Sequence, residues 1–163
     1  MTTLSELFKL SDTPILVDGS IDEVKLDTSV NTSLDLADSS LQTQQETVVF
    51  ILSPEGVDIA VDTDILGLNA FPYTMTITSV RCDIGTAPTG STVIVDMLKN
   101  GTTIMTDKFS IDATEFSSTT AAVPPVLSST SIALGDKISF KIDQIGATIK
   151  GQYLTITLNG DRA

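Results

Sequence analysis

The pair Asn100-Gly101 is the sequence feature that most constrains how this chain can fold. It separates residues 93–98 from residues 102–106, and both runs are rich in β-forming side chains with apolar residues at alternate positions. A two-residue type I′ turn needs positive φ at both central residues, and Asn-Gly adopts this conformation at the lowest steric cost. The pair therefore predicts a β-hairpin, and with it an antiparallel sheet.

Short runs with the same alternation continue along the chain from about residue 46, separated by Gly, Pro, Asn and Ser. Residues 47–52 form a continuous apolar run, which predicts a strand buried on both faces. The expected turn at residues 146–151 joins the last two strands. The predicted strands are residues 47–52, 57–61, 73–84, 93–98, 102–106, 109–111, 137–145 and 152–158.

The long predicted strand at residues 73–84 changes phase in its middle. Its apolar residues are odd-numbered as far as Ile77 and even-numbered from Val80 onward. One extra residue in a strand shifts all later side chains to the opposite face, which is what a β-bulge does. The sequence therefore predicts a bulge near Ser79.

The composition supports the same fold class. Aromatic residues make up 5% of the chain, charged residues 18%, and Trp is absent, so aliphatic side chains must fill the core and Ser and Thr must cover much of the surface. Helical bundles are instead rich in Glu, Lys, Ala and Leu. Seven or eight short strands at this spacing predict an all-β fold, a jelly-roll-like antiparallel β-sandwich.

Residues 1–45 have a different character from residues 46–163 and are predicted to be an extended N-terminal arm. They carry −6 of the total charge of −12, although they are little more than a quarter of the chain. Residues 4–10 have helical spacing of apolar side chains, which predicts a short helix that Pro14 ends. The apolar residues of the arm predict docking onto a partner, or alternatively they form the first strands of this chain's own sandwich. The candidate partner-binding residues are Leu4, Leu7, Phe8, Leu10, Ile15, Leu16, Val17, Ile21, Val24 and Leu26.

The residues needed for several kinds of catalysis are missing. The chain has no His, which excludes Ser-His-Asp and Cys-His nucleophiles and His-ligated zinc. Cys82 is interpreted as a small buried apolar residue. Asp58, Asp62 and Asp64 could offer carboxylates to calcium, but acids in loops are more often only solvated. We therefore expect no enzymatic activity, no cofactor and no metal.

The net charge of −12 argues against nucleic acid and anionic membranes as partners, because both bind Lys and Arg. The first ten residues have neither a basic start nor an apolar core typical of a signal peptide. We therefore expect the chain to be made and folded in a cytoplasm.

Residues 77–105 read ITSVRCDIGTAPTGSTVIVDMLKNGTTIM, and the placement of Gly, Pro and Asn-Gly in this stretch resembles a β-sandwich module of tailed-phage virion proteins. The resemblance continues more loosely through residues 133–136, 142–146 and 154–156. It covers about half of the chain and does not reach residues 1–45.

The resemblance implies a structural protein of the phage virion. It favours a capsid cement or decoration protein that binds the major capsid protein and neighbouring copies of itself, with a trimer as the expected oligomer. The alternative is a tail-attached module that binds a receptor or glycan, with residues 86–91 among its recognition loops.

Overall fold

A computed structural model describes residues 27–42 and 44–162. The described residues belong to two units, which divide between residues 41 and 42. Within the described residues there is one helix, α1 (Thr28–Gln42). It is not long and apolar enough to cross a membrane.

The sequence predicts an extended arm over residues 1–45 with a short helix at residues 4–10, and α1 is a further helix that this prediction lacks. Asp27 caps the helix, because its Oδ1 accepts hydrogen bonds from the backbone N–H of Ser29 at 2.7 Å and from the Ser29 hydroxyl at 2.5 Å. The hydroxyls of Thr32 and Ser33 donate to carbonyl oxygens one turn earlier, at 2.8 and 2.9 Å. Such back-bonding gives these hydroxyl groups partners within the helix, but it does not strengthen the helix. The predicted short helix at residues 4–10 lies outside the described residues.

Eleven strands lie among the described residues of the second unit. They are β1 (Gln44–Ile51), β2 (Asp62–Leu68), β3 (Met75–Thr86), β4 (Val93–Lys99), β5 (Thr102–Thr103), β6 (Met105–Asp107), β7 (Phe109–Ile111), β8 (Val126–Leu127), β9 (Ser131–Ile132), β10 (Ile138–Gln144) and β11 (Gln152–Arg162).

The strands form two antiparallel sheets in the order expected of a jelly roll. The first sheet has the order β1-β11-β3-β9, and the second has the order β2-β10-β4-β5, with β7 beside β4 as well. The chain has eight main strands if β5 and β7 are counted as one interrupted strand and the small β6-β8 pair is left out. Renumbered from 1 to 8 in chain order, these strands have the order 1-8-3-6 in the first sheet and 2-7-4-5 in the second. Each sheet therefore alternates early and late strands, as in two nested Greek keys. The predicted all-β sandwich is confirmed.

The inner faces of the two sheets form one apolar core. Phe50 of the first sheet meets Phe140 of the second with ring centroids 5.0 Å apart. Gly67 leaves room for this pair, since a Cβ there would lie 2.8 Å from the Phe140 ring and 3.0 Å from the Phe50 ring. The fully buried large side chains are Phe71, Phe109, Phe140, Ile59, Met75, Met97, Ile111, Ile132, Ile138, Ile142, Leu154 and Ile156.

The bulge predicted near Ser79 is confirmed. On β11, Asn159 pairs with Ser79 and the next residue, Gly160, pairs with Ile77, so Thr78 is the extra residue of β3. Ile77 is buried before the bulge, and Cys82 is fully buried after it. The bulge therefore keeps both halves of the strand facing the core.

The predicted Asn100-Gly101 hairpin is also confirmed. Lys99 pairs with Thr102, and the two turn residues have φ of 52° and 80°. The Asn100 side chain accepts a hydrogen bond from the backbone N–H of Lys137 at 2.8 Å and donates to Asp136 Oδ1 at 2.7 Å. The turn is thereby fastened to the loop that leads into β10.

Two strand predictions are wrong. Residues 57–61 make only an isolated bridge between Asp58 and Gln152, and the strand begins later, at Asp62. Within this segment only Ile59 is buried, while Val57 and Val61 are exposed, because the chain crosses one end of the sandwich. The sequence predicts that residues 47–52 are buried on both faces, but β1 is an edge strand that is buried on one face only.

Candidate functional site

The most distinctive surface of the sandwich is the open edge of β1. Antiparallel β11 lies on one side of β1, and no described residue pairs with its other side. The backbone N–H of Leu52 donates to Leu154 O at 2.8 Å, so even-numbered residues of this region direct their backbone groups toward β11. The backbone N–H and C=O groups of Val49 and Ile51 are therefore directed toward the open edge.

The side chains of Val49 and Ile51 also face outward, on the side of the sheet away from the core. They are 55% and 61% exposed, whereas Phe50 between them is 6% exposed. Edge strands of soluble proteins are normally protected by Lys, Pro, a bulge or a covering segment. β1 contains neither Lys nor Pro, and its only charged residue is Glu46. We call Val49 and Ile51, with their open backbone groups, the apolar edge.

A polar face borders the apolar edge. Val49 lies opposite Thr157 on β11, and Thr157 in turn lies opposite Arg81 on β3. Arg81 Nε forms an ion pair with Asp83 Oδ2 at 2.9 Å. This arrangement can bind a protein strand at the edge and hydrogen-bond to polar groups beside it.

One end of the sandwich carries a second surface feature, a cavity of about 360 Å³ beside the first residues of β11. It is lined by Glu55, Gly56, Gly85, Thr86, Gln152 and Tyr153. The adjoining loop of residues 86–91 is held in place, because Thr89 exchanges backbone hydrogen bonds with Thr148 and Ile149 at 2.9 and 3.0 Å. The Ser91 hydroxyl donates to Ile145 O at 2.7 Å. This loop is therefore part of a rigid end.

A cluster of charges lies on the outer face of the second sheet. Lys108 Nζ is 3.0 Å from Asp96 Oδ2 and 2.6 Å from Asp143 Oδ2, and Lys141 Nζ is 2.6 Å from Asp143 Oδ1. Asp96 is buried and also accepts a hydrogen bond from the Thr103 hydroxyl at 2.6 Å. Because these opposite charges are paired with each other, the cluster fastens the chain between β5 and β7 onto β4 and β10.

The pairing moves the pKa values in this cluster apart. Hydrogen bonds to Asp143 and to Asp96 raise the pKa of Lys108. Burial acts to raise the pKa of Asp143, but the hydrogen bonds from Lys108 and Lys141 outweigh it, so that pKa is lowered. Both shifts favour the charged forms, which is typical of a structural ion-pair network.

The ten apolar candidates for partner binding, from Leu4 to Leu26, lie outside the described residues. Asp58 Oδ1 accepts a hydrogen bond from Gln152 Nε2 at 2.9 Å, and Asp62 and Asp64 lie in β2. Within residues 27–42 and 44–162, no three acidic or thiol side chains converge on a position for a metal ion. Cys82 is buried, as the sequence predicts, and burial raises the pKa of its thiol.

The sequence interpretation missed both surface features. The run TVVFIL gave no sign that alternate residues would be exposed, because a fully buried strand and an edge strand with an open apolar face have the same composition. The alternation of strand residues likewise gave no sign that Tyr153 is exposed.

No protein-family model, no curated protein and no solved structure matches the chain.

Proposed function

We propose that this protein is a structural component of a tailed-phage virion, and specifically a capsid cement or decoration protein that binds the major capsid protein. The observation that carries the proposal is the apolar edge of β1, which offers both open backbone groups and exposed aliphatic side chains. The resemblance of residues 77–105 to phage virion modules supports the same function. In the fold these residues include most of β3, all of β4 and β5 and the first residue of β6, and β3 and β4 are inner strands of the two sheets.

The proposed binding step is the addition of a strand from the capsid protein, or from a neighbouring copy, to the edge of β1. Strand addition gains main-chain hydrogen bonds along the edge, and side chains of the partner cover Val49 and Ile51. Burying the exposed part of each aliphatic side chain contributes about 1 to 2 kcal/mol. The high net negative charge of the chain favours a basic partner surface.

The residues 1–45 are proposed to contribute anchoring through their apolar side chains, and copies of the chain are proposed to assemble as trimers on local three-fold axes of the shell. The virion is then the site of action, with synthesis in the host cytoplasm. No catalytic step, cofactor or nucleic acid is part of this proposal.

The decisive experiment is co-sedimentation of the purified chain with capsids assembled from the major capsid protein encoded in the same genome. A lysine at the open edge places a charge where a strand would dock, so Val49→Lys and Ile51→Lys should each weaken binding about tenfold or more. Leu134→Lys is the matched control, because Leu134 is 69% exposed on the loop after β9, away from β1. Equal binding by all three variants would contradict docking at the apolar edge.

Two further measurements test this function: the copy number separates it from a tail module, and a deletion tests the role of residues 1–45. Quantitative mass spectrometry of purified virions should find a copy number comparable with that of the major capsid protein, whereas a tail protein would be present at the level of tail components. Deletion of residues 1–40 should reduce capsid affinity. If the truncated protein decorates capsids with full affinity, the anchoring role of these residues is wrong.

A further inference from the structure

Tyr153 has an unusual combination of backbone conformation and exposure. Its φ is 56°, in the left-handed region that bulky side chains rarely adopt, and the residue is 42% exposed. The neighbours on both sides are fixed, since Gln152 pairs with Thr86 and Leu154 pairs with Ile84 on β3. The sheet therefore holds this aromatic residue in an unfavourable conformation at the surface. Strain that the surrounding structure maintains is a recognised sign of a functional position.

The conformation places Tyr153 on the wall of the cavity at the end of the sandwich. Gly85 of β3 lies against it, and a Cβ at Gly85 would be 3.0 Å from Tyr153 Cβ and 3.3 Å from its Cδ1. Because Gly85 has no side chain, Tyr153 can pack against the backbone of β3. The cavity volume of about 360 Å³ is within the range of small-ligand sites, about 300–1,000 Å³.

The other lining groups are polar and of complementary kinds. Glu55 is exposed at the turn after β1, and Thr86 contributes a hydroxyl. Gln152 contributes an amide whose nitrogen donates to Asp58 Oδ1 at 2.9 Å, which fixes the orientation of that amide. A carboxylate and a hydroxyl can hydrogen-bond to ligand hydroxyl groups, and an aromatic ring can pack against an apolar C–H face.

We infer that this cavity binds one ring of a neutral saccharide, with the C–H face of the sugar against Tyr153 and its hydroxyl groups hydrogen-bonded to Glu55 and Thr86. The exposed carboxylate of Glu55 and the net charge of −12 disfavour sialic acids, uronic acids and sugar phosphates. The inference goes beyond the proposed capsid function and does not depend on docking at the apolar edge, because the cavity and that edge use different residues. A sugar site that includes Thr86 is also what the tail-module alternative expects.

The test is a titration of the isotope-labelled full-length chain with a panel of neutral sugars, followed by backbone amide NMR. The probes are glucose, galactose, mannose, rhamnose, N-acetylglucosamine and N-acetylgalactosamine, with N-acetylneuraminic acid as the acidic comparison. We expect at least one neutral sugar to shift the amide signals of Gly85, Thr86 and Tyr153 in a saturable way. The acidic sugar should bind more weakly than that neutral sugar.

The key variant is Tyr153→Gly, which removes the ring at a position whose φ suits glycine, so that the fold is retained. It should weaken saccharide binding about fivefold to tenfold, the loss expected for one aromatic contact. Tyr153→Phe should retain binding, and Phe116→Ala, which removes an exposed aromatic ring outside the cavity lining, should leave it unchanged. The inference is overturned if no neutral sugar shifts these signals, if Tyr153→Gly binds as well as the natural chain, or if the acidic sugar binds best. Capsid co-sedimentation is a separate readout, so either proposal can fail alone.

Discussion

Gly160 on β11 faces the bulge of β3 so closely that a Cβ on this residue would overlap the carbonyl oxygen of Thr76. The same Cβ would lie 2.5 Å from Met75 Cε in the core. The extra residue in β3 therefore depends on the absence of a side chain on the neighbouring strand. Glycine within a strand often marks such a close approach of two backbones.

Gly160→Ala should lower the free energy of unfolding by about 1–3 kcal/mol, because the backbone of β3 must move to admit the methyl group. Gly101→Ala is the control, since Gly101 has φ of 80° but a Cβ added there would have no atom within 4 Å, so that only conformational strain is added. Urea unfolding measures the free energy of unfolding of both variants. A smaller loss for Gly160→Ala than for Gly101→Ala would show that the packing of the bulge is not the limiting feature.

The turn residue Asn100 has two roles that can be separated by substitution. Asn100→Gly keeps a residue suited to positive φ but removes the two side-chain hydrogen bonds to Asp136 and Lys137. It should cost about 1–2 kcal/mol of stability. Asn100→Ala adds the strain of the left-handed conformation and should cost about 1 kcal/mol more. Thermal unfolding that ranks the two variants equally would contradict this division.

The paired charges around Lys108 predict a specific pH dependence of stability. The pKa of Asp143 is lower in the folded chain than in the unfolded chain, where it is about 3.9. The contribution of Asp143 to the free energy of unfolding is therefore present above the unfolded pKa and is lost as pH falls through the folded pKa. The pKa of Lys108 is higher in the folded chain than in the unfolded chain, where it is about 10.4. The contribution of Lys108 to the free energy of unfolding is therefore present below the unfolded pKa and is lost as pH rises through the folded pKa.

In Asp143→Asn, the free energy of unfolding should therefore fall less steeply as pH is lowered. Near neutral pH this variant should lose about 1 kcal/mol of stability. The loss is modest because Lys108 is 38% exposed, so that solvent screens the ion pair. Asp107→Asn, at an exposed position of β6, is the comparison. Denaturant unfolding measures the free energy of unfolding of both variants between about pH 2 and pH 7, a range that spans the unfolded pKa of about 3.9. An unchanged loss of stability at low pH in Asp143→Asn would exclude this carboxylate as its source.

Cys82 provides a reporter of global unfolding. Its side chain is fully buried, and burial, followed by the charge of Asp83, raises the pKa of the thiol, so the reactive thiolate is suppressed in the folded chain. Alkylation by iodoacetamide should be slow in native buffer and should accelerate with urea in parallel with unfolding. Native-state labelling at the rate found in full denaturant would mean that β3 opens locally.

Local chemistry and side-chain periodicity were sufficient to predict the sandwich. The Asn100-Gly101 turn, the parity change between Ile77 and Val80 and the alternating β10 all depend on the pattern of neighbouring residues, and all are confirmed. The helix α1 was missed because its Ser and Thr residues favour turns and strands, although the cap at Asp27 and the spacing of Val30, Leu34, Ala37 and Leu41 are helical signals.

The candidate surfaces were harder to predict because they depend on tertiary position. The side chains of Val49 and Ile51 are exposed because they lie on the outer face of the sheet. Their backbone groups are open because β11 lies on one side of β1 and no described strand lies on the other. Tyr153 is strained only because the pairings of Gln152 and Leu154 with β3 fix its backbone. Neither relationship is encoded within a few residues of the side chain concerned.

The central position of β11 has a consequence for how the protein is made. Gln44 pairs with Arg162, and β11 also supplies the partner of β3, so the first sheet cannot be completed until residues 152–162 have left the ribosome. During synthesis β1 and β3 must wait with unpaired edges, in a topology of long sequence separations that folds slowly. A chain that ends before Gln152 would lack the strand that pairs with both β1 and β3, and such chains should aggregate rather than assemble.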